Sequence, residues 1–170
     1  MWSVTLLTME TDLSHLMVPQ ELLGVILEAY YQPQFRYLKE AILRYPKAEG
    51  TFTLGDTFYT NKPLGYLTVP EAKLCLDQLA CVAFGIWLEK GNFKDAKISF
   101  DTYLRLLENG KSHTRDFQMK FREQMRTSEP IKGQISLADL RTPIGKYVGF
   151  FDCAIGNGKN RGKLKYVLEL

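Results

Sequence analysis

The sequence predicts an α+β fold in which an antiparallel sheet wraps around one long central helix. Three observations lead there. One stretch, Leu74 to Leu88, is apolar or small at almost every position, and helix signals stand on both sides of it. Strand-like segments precede and follow that helix, and most are closed by turn residues. The chain has 170 residues, 45% hydrophobic and 24% charged, which suffices for one domain with a real core and excludes disorder as the main state.

Taken in order, residues 1–18 read as a lead-in segment, and residues 19–170 as the single domain. Pro19-Gln20-Glu21 opens a helix that carries Leu22, Leu23, Ile26 and Leu27 on one face and stops before Pro33. Tyr30 lies on the same face, either as a plain core aromatic or as a hydroxyl that needs a partner. Residues 35–45 and 50–59 then look like an antiparallel pair around a turn at 46–50. Tyr59 ends the second strand of that pair. A loop from Asn61 to Tyr66 follows and feeds the central helix.

The central helix is predicted over about residues 68–90. Thr68-Val69-Pro70-Glu71 fits a capping box with proline in the first turn, where a missing N–H costs little. Lys90-Gly91 marks the end. The run is shorter than the roughly 20 apolar residues that cross a bilayer, and it carries a carboxylate, so it reads as a buried helix. Beyond it, Ser99-Phe100-Asp101 caps a short helix over 102–108, ended by Asn109-Gly110. Strands are predicted over 114–126, 134–140, 146–155 and 163–170, with Gly156-Asn157-Gly158 as a hairpin turn. Antiparallel strands must bury one face, and an all-apolar helix must be covered. Curling the sheet around the helix satisfies both needs, which is the hotdog architecture.

Function classes can be narrowed. A net charge of +3 is too weak to argue for nucleic acid. Cys75, Cys81 and Cys153 show no metal spacing and read as reduced core residues of a cytoplasmic protein. The first ten residues lack the basic and cleavage-like parts of a signal peptide, and no membrane span is predicted. Neither a serine-hydrolase elbow nor a phosphate-binding glycine motif occurs. Neither His15 nor His113 lies near the central helix in sequence, so no metal site is expected, and no cofactor either.

What remains is Asp77. An unpaired carboxylate in an apolar helix costs several kcal/mol or takes up a proton. Two readings stand. Asp77 reaches a rim where an arginine or backbone N–H groups satisfy it, or it faces a pocket where a shifted pKa is useful. Gln78, beside it, reads as structural, hydrogen-bonded to a strand. The helix N-terminus offers N–H groups and a positive dipole that can stabilise an oxyanion. Asp77 lies about 13 Å further along the axis, so only a substrate running beside the helix meets both.

Several blocks resemble one family. They are Glu21-Leu22-Leu23 with Val25 to Tyr30, Phe35-Arg36-Tyr37-Leu38, Phe52 to Tyr59, and Glu71 to Ala80. In order and spacing they resemble the FcoT-type hotdog thioesterases over about residues 20–90. The resemblance implies long-chain acyl thioesters, on coenzyme A or an acyl carrier protein, as substrates. It also implies a homo-oligomer with sites near a subunit interface. Tyr30 and Tyr59 match the two site tyrosines, and Asp77 stands where the family has an asparagine. Gly65, Tyr66, Thr68, Val69 and Glu71 would line the substrate at the loop and helix start. Thr68 replaces an asparagine of the family, and Tyr66 departs from a Gly-His-Phe pattern of some relatives. An aspartate at 77 can act as a general base, which an asparagine cannot.

Four functions follow as expectations. Asp77, Tyr59 and Tyr30 would hydrolyse an acyl thioester. A similar branch of the family adds glycine to α,β-unsaturated acyl thioesters before hydrolysis, on routes to β-amino acids and isonitrile lipopeptides, and a carboxylate base serves that step too. A non-catalytic acyl-chain binder keeps the fold without the chemistry. A dehydratase needs a histidine beside the acid.

Overall fold

The computed structural model describes residues 16–55, 60–62, 64–93 and 98–170. Its strands are β1 (Leu16–Met17), β2 (Leu38–Arg44), β3 (Lys47–Phe52), β4 (Ser112–Lys120), β5 (Ile131–Arg141), β6 (Lys146–Ile155) and β7 (Asn160–Glu169). Its α-helices are α1 (Gln20–Glu28), α2 (Val69–Glu89) and α3 (Phe100–Glu108). All the strands join one antiparallel sheet in the order β1-β2-β3-β5-β6-β7-β4. The sheet is wrapped around α2, and the fold is a hotdog.

Helix α2 forms where the sequence places it, for the reasons the sequence supplies. Glu71 Oε2 accepts from the Thr68 N–H at 2.9 Å and from the Thr68 hydroxyl at 2.8 Å. Gly91, at φ +69°, ends it. From Cys75 to Leu88 every side chain is buried. Leu76, Leu79 and Phe84 meet the inward face of the sheet, built from Phe52, Ile135, Phe151, Leu164 and Leu168. Each such side chain removed from water contributes about 1.5–3 kcal/mol. A polar face would forfeit that on one side, which is why the helix has none.

Packing against α3 is tight. Gly85 of α2 faces Tyr103, and a Cβ there would lie 2.4 Å from Tyr103 Cε1. The ring cannot withdraw freely, because its hydroxyl donates to the Cys81 carbonyl at 2.7 Å and meets the Tyr166 hydroxyl at 3.1 Å. Alanine improves helix propensity by about 1 kcal/mol, but overpacking a filled core costs about 1–3 kcal/mol. Gly85→Ala is therefore expected to lower the denaturant midpoint. A variant as stable as the parent would show that α3 gives way cheaply.

Several boundaries differ from the sequence expectation. Leu16 and Met17 are not a loose lead-in; they pair with Leu43 and Ile42, and Val18 is in the core. Their addition covers the edge of β2, whose unpaired backbone groups favour a partner strand. The turn between β2 and β3 is Tyr45-Pro46, with a cis bond, and not 46–50. Gly50 sits inside β3, where a Cβ would lie 2.7 Å from Leu38 Cδ1. Its glycine serves close approach, not a turn. Strand β3 ends at Phe52 and residues 53–55 are not strand, so the pairing expected over 50–59 stops early; Tyr59 itself lies outside the described residues.

On the other side of the helix, β4 starts at Ser112 and ends at Lys120 instead of running from 114 to 126. The cause is Asn160. Its buried side chain accepts from the Arg122 N–H at 2.7 Å and the Glu123 N–H at 3.0 Å, and donates to the Glu123 carbonyl at 3.1 Å. A side chain thus takes the place of the ladder, and the chain leaves the sheet. Strand β5 is longer at both ends than the predicted 134–140, and β7 starts before 163. Strand β6 and helix α3 form close to their expected ranges, and the glycine turn at 156–158 joins β6 to β7. Val167, which interrupts the polar alternation of β7, is buried opposite Val148.

Candidate active site

Asp77 projects from the third turn of α2 and is 8% exposed. Each of its oxygens is held. Lys73, one turn earlier on the same helix, donates to Oδ2 at 2.5 Å, and the Thr114 hydroxyl of β4 donates to Oδ1 at 2.5 Å. Burial pushes the Asp77 carboxyl above the ordinary aspartate range. The Lys73 ammonium, through charge and hydrogen bond, and then the Thr114 hydroxyl, pull it back down. The partner is thus a lysine and a threonine, and not the arginine or backbone N–H groups that one reading expected.

Tyr30 follows α1 and is 37% exposed. Its hydroxyl donates to the Ser112 carbonyl of β4 at 2.6 Å, and its ring stands edge-on to Tyr31 with centroids 4.9 Å apart. Burial, then the neighbouring Cys81 and Asp77, push the phenol upward, so it remains a donor at neutral pH. Strand β4 is the last in the sheet order, and the phenol covers one of its carbonyls. Two residues singled out by sequence, one on α2 and one just after α1, therefore meet the same edge strand two positions apart. Behind them runs a buried polar chain: Ser112 Oγ donates to the Tyr166 hydroxyl at 2.5 Å, which meets Tyr103, which donates to the Cys81 carbonyl.

Gln78 is structural, as expected. Its Oε1 accepts from the Tyr37 N–H at 3.0 Å and the Leu38 N–H at 2.9 Å, while Nε2 donates to the Phe35 carbonyl at 2.5 Å. The side chain holds the start of β2 against the helix.

The other expected site residues lie apart from Asp77. Tyr59 is outside the described residues. Glu71 is 1% exposed, with its carboxylate used on Thr68. Gly65, Tyr66 and Val69 are exposed at the mouth of the helix N-terminus. Tyr66 bridges Arg126, and the Leu67 N–H donates to the Met125 carbonyl at 2.8 Å. The donors of the first turn are mostly consumed. Thr68 N–H goes to Glu71, and Pro70 has none. The tip of the helix and the Asp77 cluster are thus two separate places on α2.

Lys73 and Thr114 were not singled out by sequence reasoning. A signal existed for Lys73, since a lysine four residues before an aspartate on a helix faces it. None existed for Thr114, whose contact depends on how β4 is laid against α2. His113, next to it, points to the opposite face because neighbouring strand residues alternate. It stands across from Val167, away from the helix. Two shallow clefts of about 250 and 280 Å³ also lie on that outer face, lined by Phe150, Lys163 and Lys165 and by Glu49, Gln134 and Arg161. Neither reaches Asp77. Cys75, Cys81 and Cys153 are free and buried. Among the described residues, no group of three or more His, Cys, Asp or Glu side chains is placed to hold a metal. Among them, too, no helix is long and apolar enough to cross a membrane.

No family model matches the chain, and no curated protein does. Solved structures share its fold. The dehydratase domain of RzxB from Pseudomonas fluorescens is similar with a TM-score of 0.57 at 12% identity, over 94% of this chain and 51% of that one. A mutant thioesterase from Pseudomonas aeruginosa is similar at 0.53 and 8% identity, covering 90% and 96%. Zebrafish thioesterase superfamily member 2 is similar at 0.50 and 12% identity, covering 89% and 94%. The chain spans about half the length of the dehydratase, and 53% of a further thioesterase superfamily protein. At these identities the likeness concerns the fold.

Proposed function

We propose that this chain hydrolyses acyl thioesters, with Asp77 as the general base. The observation that carries the reading is a buried carboxylate, held by named donors, meeting a tyrosine on one edge strand of a fold that thioesterases share. A water beside Asp77 attacks the thioester carbonyl carbon and gives a proton to the carboxylate. The carbonyl oxygen gathers charge and is met by the Tyr59 phenol as donor, while Tyr30, whose O–H is held by the Ser112 carbonyl, lines the acyl group beside it. The C–S bond then breaks, and the thiolate takes the proton from Asp77 and leaves as a thiol. Each well-placed donor on the oxyanion is worth about 3–4 kcal/mol.

The FcoT-type resemblance of residues 20–90 supports a long acyl chain carried by coenzyme A or an acyl carrier protein, in a cytoplasmic homo-oligomer. Gly65, Tyr66, Thr68 and Val69 would then receive the carrier end of the thioester at the exposed helix mouth, with Glu71 shaping it through Thr68. A second reading, glycine addition to an α,β-unsaturated acyl thioester followed by hydrolysis, is favoured by the aspartate at 77, since a carboxylate can also accept the proton of an attacking amine. A dehydratase reading is disfavoured by His113, which faces away from Asp77 across the sheet.

Mass spectrometry on a panel of saturated and unsaturated acyl thioesters, with and without glycine, tests these readings. Free acid from the parent and a drop of about 10²–10³ in kcat for Tyr59→Phe are expected. A carboxymethylamino product would select the second reading. Hydrolysis left unchanged by both Tyr59→Phe and Asp77→Asn would remove the assignment.

A further inference from the structure

Both oxygens of Asp77 are occupied, which a resting general base has to overcome. The two donors differ in a way that matters. Thr114 is on a strand of the sheet, and its short side chain holds Oδ1 in place. The Lys73 side chain is 40% exposed against 11% for that of Asp77, so it lies on the solvent side of the carboxylate. A lysine carries a flexible stem and a strongly hydrated head, so it can swing into water, and the carboxylate it uncovers keeps the Thr114 hydrogen bond on Oδ1 and takes the incoming water as its partner on Oδ2.

Resting on the hydrolase reading, we propose that Lys73 and Thr114 are positioning residues for Asp77: Thr114 fixes Oδ1, and Lys73 holds Oδ2 ionised until it moves aside and yields that oxygen to the attacking water. The water proton then goes to Oδ2, and from there to the leaving thiolate. Among the described residues, the titratable groups around Asp77 are Lys73, Cys75 and Cys81 along α2, Tyr30 and Tyr31 after α1, and Cys153 on β6. Burial pushes each of these thiols and phenols upward, so they stay neutral near pH 7. Lys73 is then the one charge among them. Its removal shifts the carboxyl further toward the protonated form.

Two measurements test this on the full chain. The first is the pH profile of kcat/KM for the parent, Lys73→Met, Lys73→Arg and Thr114→Val. The acidic limb is expected at higher pH in Lys73→Met, with activity at the acid end lower by roughly tenfold or more. It should move in the same direction in Thr114→Val and return in Lys73→Arg, which restores the charge. The second follows isotope-labelled aspartate carboxyl carbons by NMR, where the Asp77 midpoint should rise in Lys73→Met whether or not a substrate is known. If Asp77→Asn is inactive but the Lys73→Met limb and midpoint coincide with the parent, the positioning roles are overturned and the hydrolase reading stands. If Asp77→Asn cleaves thioesters as fast as the parent, that reading falls and takes this proposal with it.

Discussion

Asp77→Asn is expected to lose most acyl-thioester hydrolysis while remaining as stable as the parent, or becoming more so. The activity loss should be about 10²–10⁴, the usual contribution of a positioned general base. The stability side follows from linkage. The folded-state carboxyl is raised by burial above its unfolded value, so the native state binds the proton more tightly than the unfolded chain does. The ionised form therefore opposes folding throughout the range above the folded value, and that opposition is relieved as pH falls through it. An asparagine removes the charge at every pH. Its advantage over the parent should be largest near neutrality and shrink toward acid, as thermal unfolding across pH would show. Breaking a fully buried pair usually costs about 3–5 kcal/mol because a charge is stranded. Here the remaining partner is the half-exposed Lys73, which returns to water, and the amide oxygen still accepts from Thr114. A neutral-pH loss above about 2 kcal/mol would contradict a carboxylate kept for chemistry and not for stability.

The largest structural effect is expected one residue further on. Gln78→Leu keeps the volume of a side chain that is fully buried but strands the Leu38 N–H and leaves the Tyr37 N–H and the Phe35 carbonyl only their mutual bond of 3.1 Å. A buried polar group left unpaired costs about 1–3 kcal/mol and an ordinary hydrogen bond lost about 1 kcal/mol, so a total of about 2–4 kcal/mol is expected, a large part of the 5–15 kcal/mol that holds a typical domain together. Gln78→Glu keeps the acceptor but loses the donor and buries a charge, and should fare little better. Denaturant unfolding measures both. A shift below about 1 kcal/mol for the leucine variant would mean that water or a backbone adjustment replaces the amide. The contrast between the neighbours is instructive: position 77 tolerates neutralisation in folding terms, whereas position 78 requires both ends of its amide.

Much of the architecture was legible in local pattern. The all-apolar run of α2 between a capping box and Gly91 defines a buried helix without reference to anything else. Strand β6, helix α3 and the glycine turn at 156–158 are similarly written in alternation, capping and turn chemistry. Gln78 was recognisable because a fully apolar neighbourhood obliges an amide to find backbone partners. Gly50 was misread as a turn residue because glycine serves turns and close approaches alike. The early end of β4 was hidden because Asn160, far along the chain, supplies the bonds that draw residues 122 and 123 out of the sheet.

The sequence by itself determined that a carboxylate would lie inside a helix wrapped by strands, because periodicity and capping are properties of neighbouring residues. Only the tertiary structure decided what that carboxylate touches. Laying β4 at the sheet edge beside α2 delivers Thr114 to one oxygen and brings the Tyr30 phenol to Ser112. Strand register and sheet closure set those contacts between residues far apart in the chain, and no local pattern encodes them.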